Sequence, residues 1–128
     1  MRIATVLIAP LALVCLLACA SYPPPTERMT TTEAAIRGAR EVGADQIPRA
    51  ALHLKLAQEQ ADKARQLMQD GYNDRADLTL KRAQADAELA IAISREAQTV
   101  QKAHDAEANL EKVKAEALKQ PALPPAGQ

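Results

Sequence analysis

Gly71-Tyr72-Asn73-Asp74 is the stretch that decides the fold, because a matching pattern of small apolar residues runs up to it and away from it. Before it, Ala50, Leu54, Ala57, Ala61, Ala64 and Met68 recur alternately four and three residues apart; after it, Ala76, Leu80, Ala83, Ala87 and Ala90 do the same. That spacing lays a stripe along one side of an α-helix, as a seam facing another helix requires. Gly71 can take the left-handed conformation that stops a helix, and Asn73 or Asp74 can cap the next one. The reading is a helical hairpin whose two arms pack antiparallel. Alanine on both sides lets the axes approach the short end of the ~8–10 Å range. Tyr72 is either a ligand contact or a turn tyrosine packed over the end of the helix pair, the commoner use of an aromatic ring there.

Working back from the turn, Pro48 suits the first turn of a helix, where its missing amide would have no partner, and predicts a helix over 48–70. Leu52 and Leu56 widen its stripe as packing against two neighbours demands, while Glu59 and Lys63 sit four apart on a solvated face. Residues 44–47 form a short connection. Upstream, Thr30 and Glu33 have capping-box spacing with Met29 as a staple, which predicts a helix over 31–42. Its apolar side is Ala35, Ala39 and Val42 with Ile36 beside them, and Gly43 supplies its stop. Gly38 lies inside this helix at about 1 kcal/mol against alanine, either to permit close backbone contact or merely tolerated.

Downstream of Asp74 no glycine or proline interrupts the chain until Pro121. One helix over 74–119 follows, about 67 Å long. Its second half continues with Ile93, Ala97, Val100, Ala103, Ala106, Leu110, Val113 and Ala117, but the two shorter helices cannot reach that far. An isolated helix of this length is marginal in water, so Val100, Ala103, Ala106, Leu110, Val113 and Ala117 are assigned as an association surface for another helix. The plainer alternative is an extension held by alanine propensity and by pairs such as Lys112 with Glu116. Residues 120–128, with Pro121, Pro124 and Pro125, read as a disordered tail. The expected fold is all-α: a three-helix antiparallel hairpin arrangement with a long, partly coiled-coil-like C-terminal helix.

At the other end, Arg2 and the apolar run from Ile3 to Leu17 read as a signal peptide over 1–18, too short for the ~20 apolar residues of a membrane span. Leu16-Leu17-Ala18-Cys19 resembles the lipobox of bacterial lipoproteins. The resemblance implies cleavage after Ala18 and lipidation of Cys19, with lipid on its sulfur and its amine and fatty acids such as palmitate among the chains. Several chains on one residue give stable anchoring, at about 0.8 kcal/mol per buried methylene. Cys15 would leave with the leader, so no thiol remains for a disulfide or for catalysis. Ala20 and Ser21 stand where an aspartate tends to retain lipoproteins of Gram-negative bacteria in the inner membrane, which points to the outer membrane, facing the periplasm. Residues 19–30, with three consecutive prolines, then form an extended tether.

Loss of Arg2 with the leader leaves fifteen basic against sixteen acidic residues, a formal charge of −1. Such a balance offers no field for nucleic acid. There is no Trp and no Phe, only Tyr22 and Tyr72, so aromatic platforms for bases or sugars are lacking. The hydrophobic fraction of 48% is largely alanine, which makes for a thin core.

The alanine-rich first helix, Gln46-Ile47-Pro48, the Ala57-Ala61-Ala64 ladder ending at Gly71-Tyr72, and the Ala83-Ala87-Ala90 run with Asp86 and Glu88 together resemble an uncharacterised lipoprotein domain known only as a domain of unknown function. The resemblance covers roughly residues 32–98. That domain occurs alone or ahead of an OmpA-like peptidoglycan-binding domain, and the resemblance implies a helical envelope protein with no catalytic residues to transfer. His53 and His104, the only histidines, fall on different helices. Metal binding by His104 with Asp105 and Glu107 is conceivable, but adjacent positions point to different sides of a helix, so solvated placement is the simpler reading. The carboxylates alternate with Lys and Arg, so no acid and base pair stands out. The expectation is a non-enzymatic protein with no cofactor, no metal and no small-molecule substrate. Two roles remain: a structural scaffold that self-associates, or an adaptor or chaperone-like module that binds an envelope assembly, transport or secretion partner.

Overall fold

A computed structural model describes residues 22–119. The signal peptide over 1–18, Cys19 and the tail over 120–128 lie outside the described residues. Three α-helices account for nearly all of the rest: α1 Thr26–Glu41, α2 Pro48–Gln69 and α3 Asn73–Lys119, with a 3-10 turn at Ala44–Gln46 between the first two. The all-α expectation holds.

The hairpin forms as its sequence requires. Gly71 adopts φ 81°, its amide donates to the Met68 carbonyl at 3.1 Å, and the Tyr72 amide donates to the Leu67 carbonyl at 2.8 Å. These are the two reversed hydrogen bonds that close a helix end around a left-handed glycine. Gly43, at φ 75°, ends α1 in the same region of conformational space. Asn73 does not cap α3 through its side chain, because its amide is turned toward the Tyr22 carbonyl, to which it donates at 2.9 Å. Pro48 takes the first position of α2, as expected.

Packing is antiparallel between α2 and α3 and parallel between α1 and α3. Along α1, Arg28 meets Asp77, Thr32 Oγ1 donates to the Leu80 carbonyl, and the Val42 carbonyl accepts from Gln98 Nε2, so both chains ascend together. The expected seam is buried: Ala50, Leu54, Ala57, Ala61 and Ala64 on α2 face Ala76, Leu80, Ala83, Ala87 and Ala90 on α3. Alanine contributes little apolar area, so the larger side chains Ile36, Leu54, Leu67, Leu80 and Ile93 carry most of the driving force, about 1.5–3 kcal/mol for each when fully buried.

Several expectations need correction. The first helix starts at Thr26 instead of residue 31, so residues 26–30 are helical and the extended stretch before the bundle ends at Pro25. Thr30 is no cap; its hydroxyl donates back to the Thr26 carbonyl at 3.1 Å, one turn earlier in the same helix. Met29 packs against the cluster of Ala64, Leu67, Ala76 and Leu80. The α2 stripe ends on Leu67, with Met68 only half-buried, because the closing turn folds over Leu67 and brings it onto Ala76 and Leu80. Leu52 is 56% exposed and Leu56 half-buried. The reason is that α1 packs chiefly on α3, which leaves α2 a narrower buried face than two full neighbours would give it.

Candidate functional site

Beyond the bundle, α3 carries on alone. Ile93 and Ser94 are buried, Ala97 is half-buried, and Gln98 makes the last bond to the bundle, at 2.9 Å to the Val42 carbonyl. From 99 to 119 every residue is exposed, a projection of about 31 Å at the α-helical rise. Val100, Leu110 and Val113 are 65%, 54% and 61% exposed, and Ala103, Ala106 and Ala117 lie bare along the same stripe. Of the six residues assigned to an association surface, Ala103, Ala106, Leu110, Val113 and Ala117 keep three-four spacing on one exposed face, and Val100 sits at its edge, where the spacing slips.

Local interactions keep this projection helical. Thr99 Oγ1 donates to the Arg95 carbonyl at 2.8 Å, Gln101 Nε2 to Asp105 Oδ1 at 2.9 Å, and Lys114 Nζ to Glu111 Oε1 at 3.0 Å. Lys112 and Glu116 do not pair. Their order, lysine before glutamate at four apart, is the weaker one on a helix. Leu118, 88% exposed, lies 18 residues or about five full turns beyond Val100 and so on the same edge of the stripe.

His104 stands on the projection, exposed, with its ring 4.0 Å from Asp105. His53 is not a free surface residue. Its Nδ1 lies 2.9 Å from Asp86 Oδ1, and the other oxygen of that carboxylate accepts from Gln60 Nε2 at 2.7 Å, so a polar cluster bridges α2 and α3 in the middle of the hairpin. Among the described residues no three His, Cys, Asp or Glu side chains converge as metal ligands would.

A second cluster escaped the sequence reading altogether. Asp77 is 6% exposed on α3, bonded to Arg28 of α1 and, at 3.0 Å, to Lys81. The hydrogen bond from Arg28, and after it that from Lys81, holds the Asp77 carboxyl below the usual carboxylate range. No spacing marks Arg28, which falls in the stretch that the three prolines assign to the tether. A further pair joins α1 to α2, Arg65 reaching Glu33 at 3.0 Å while also holding Asp62 at 2.6 Å. These ion pairs set the register of α1 against the hairpin.

Concave features are shallow. An open groove of about 410 Å³ between α1, the 3-10 turn and α2 is lined by Arg40, Asp45, Ala51, Leu54, Lys55 and Gln58. No described helix is long and apolar enough to cross a membrane.

A family model for a domain of unknown function, DUF4398, matches residues 27–108. That span takes in the bundle from the second residue of α1 and about half of the projection. No curated protein and no solved structure matches the chain.

Proposed function

This chain belongs to the DUF4398 family, and on that footing we propose that it is a bacterial cell-envelope lipoprotein acting as a non-catalytic scaffold. Lipid on Cys19 would hold it at the outer membrane facing the periplasm, and the free end of α3 would be its point of association. The observation that carries this reading is the exposed apolar stripe centred on Leu110 and Val113, with Val100 at its edge, on a stretch the bundle does not use. A helix needed only for length is served by alanine, glutamate and lysine. Branched apolar residues at core spacing on its bare face favour a partner helix.

The anchor rests on separate residues. Leu16-Leu17-Ala18-Cys19 follows an apolar leader, and the finer resemblance to alanine-rich envelope lipoproteins that occur alone or ahead of an OmpA-like domain supports the same compartment.

The test is cross-linking in intact cells, comparing the parent with a Leu110→Lys, Val113→Lys double variant. The parent should give a discrete product that the double variant loses while keeping its helicity. A homotypic product supports the self-associating scaffold; a heterotypic one supports the adaptor. If the double variant keeps the parent's cross-linking pattern and solution mass, the stripe is not an interface.

A further inference from the structure

The bundle fixes where the chain enters it, and that point has a chemistry of its own. Asn73 Nδ2 holds the Tyr22 carbonyl at 2.9 Å, and Arg28 is bonded to the nearly buried Asp77. The segment before α1 is thereby fastened to the first turns of α3, beside the Gly71-Tyr72 turn. One end of the molecule thus gathers the entering chain, the hairpin turn and the start of the long helix. The exposed stripe lies at the opposite end of α3, whose 47 residues span about 70 Å.

The only two aromatic residues of the chain, Tyr22 and Tyr72, sit at this tip, 48% and 53% exposed. Tyrosine is the residue that places an apolar ring in the outer hydrocarbon region and its hydroxyl among headgroups. Cys19 precedes Tyr22 by three residues, so even a fully extended link spans only about 10–11 Å. An anchor on Cys19 therefore cannot let the bundle float free. It draws this tip, and no other face, to the lipid.

We propose that the Tyr22 and Tyr72 tip rests on the bilayer surface and that α3 stands away from it, carrying the Val100–Val113 stripe clear of the membrane. The inference rests on the lipid-anchor reading above. The partner is the interfacial layer of a bilayer rather than an anionic patch. Glu27, Asp70 and Asp74 flank the tip, Arg75 lies with its guanidinium 5.7 Å from the Tyr72 ring centroid, and Arg28 is already engaged by Asp77. That surplus of carboxylates gives no attraction to acidic headgroups.

Because the chain has no tryptophan, a single one reports on its own surroundings. The full acylated protein, purified from membranes as Tyr72→Trp and separately as Leu110→Trp, is reconstituted into phosphatidylcholine vesicles with and without brominated acyl chains. The indole at position 72 should lose emission in brominated lipid and shift to the blue, while the indole at 110 should do neither. Equal quenching at both positions would mean that the molecule lies flat, and would overturn the proposal. So would an unquenched indole at 72 in protein that still floats with the vesicles, a result that leaves the anchor standing. Failure to float at all would overturn the anchor and the tip contact together.

Discussion

Replacing Gly38 by alanine asks the bundle a question with a definite sign. Gly38 lies inside α1, and two opposed effects bear on it. Glycine in a helix interior is about 0.8–1.0 kcal/mol less favourable than alanine. If it were there to let two backbones touch, an added methyl would destabilise by about 1–3 kcal/mol through overpacking. The geometry decides between them: a Cβ built at Gly38 meets only Ile91 Cδ1, at 3.7 Å, an ordinary van der Waals contact with the end of a movable side chain. The backbone conformation is helical, so alanine adopts it without strain. Gly38→Ala should therefore stabilise by about 1 kcal/mol, a rise in Tm of about 4–8 °C for a domain of this size. Thermal unfolding followed by helical circular dichroism measures it. A Tm equal to or below that of the parent would mean that α1 and α3 approach more closely at Gly38 than described, and the register of α1 would have to be redrawn.

Leu80 is fully buried where α1 and α2 both meet α3, so Leu80→Asp, which strands a carboxylate there, should cost several kcal/mol and leave no cooperative transition; an unchanged melting curve would show that the seam is misplaced. Asp77 has its folded pKa depressed by Arg28 and Lys81, so the stability it lends is present above the ordinary carboxylate value near ~3.9 and disappears as pH falls from there through the lower folded value. Tm measured from neutral to strongly acidic pH should accordingly fall less steeply in Asp77→Asn than in the parent over that acid window, and parallel curves would remove the pair from the account. Cys19→Ala should abolish both membrane partition and uptake of a labelled fatty acid in cells, and retention of both would refute the anchor.

The hairpin could be read from sequence because its signals agree: small residues at seam spacing on both arms, a glycine where the chain reverses, and no helix breaker elsewhere in either arm. The start of α1 could not. Thr30, Thr31 and Thr32 are weak helix formers, and the three prolines before them suggested a longer extended stretch. What overrides that local preference is tertiary: Thr32 is buried against the Leu80 carbonyl, and Arg28 reaches a carboxylate 49 residues away. No local window contains such a pairing. The same holds for His53, whose partner Asp86 comes from the facing arm and is shared with Gln60. The exposed stripe on α3 was legible for the opposite reason. Its meaning depends only on helix period and on the shorter length of its neighbours.

How firmly that stripe is presented follows from helix energetics. The costly step for a helix is nucleation, with an equilibrium factor near ~10⁻³, while each further residue of a good helix former adds at little or no cost. In α3 the nucleus is supplied by the bundle, which buries the helix as far as Ser94 and bonds it as far as Gln98. Residues 99–119 thus propagate from an existing end, rich in Ala, Lys and Glu, and aided by pairs worth about 0.2–0.5 kcal/mol each. A peptide of the same sequence would be mostly unfolded; joined to the bundle it is helical before any partner arrives. A partner helix then meets a preformed face, and the ordering penalty that weakens association of flexible segments is already met. The argument also explains why α1 matters to a surface it never touches. By bonding Asp77 and Leu80 along its length and Gln98 through the Val42 carbonyl just past its end, it holds the last buried turns of α3 in place, and the projection is only as well aimed as those turns.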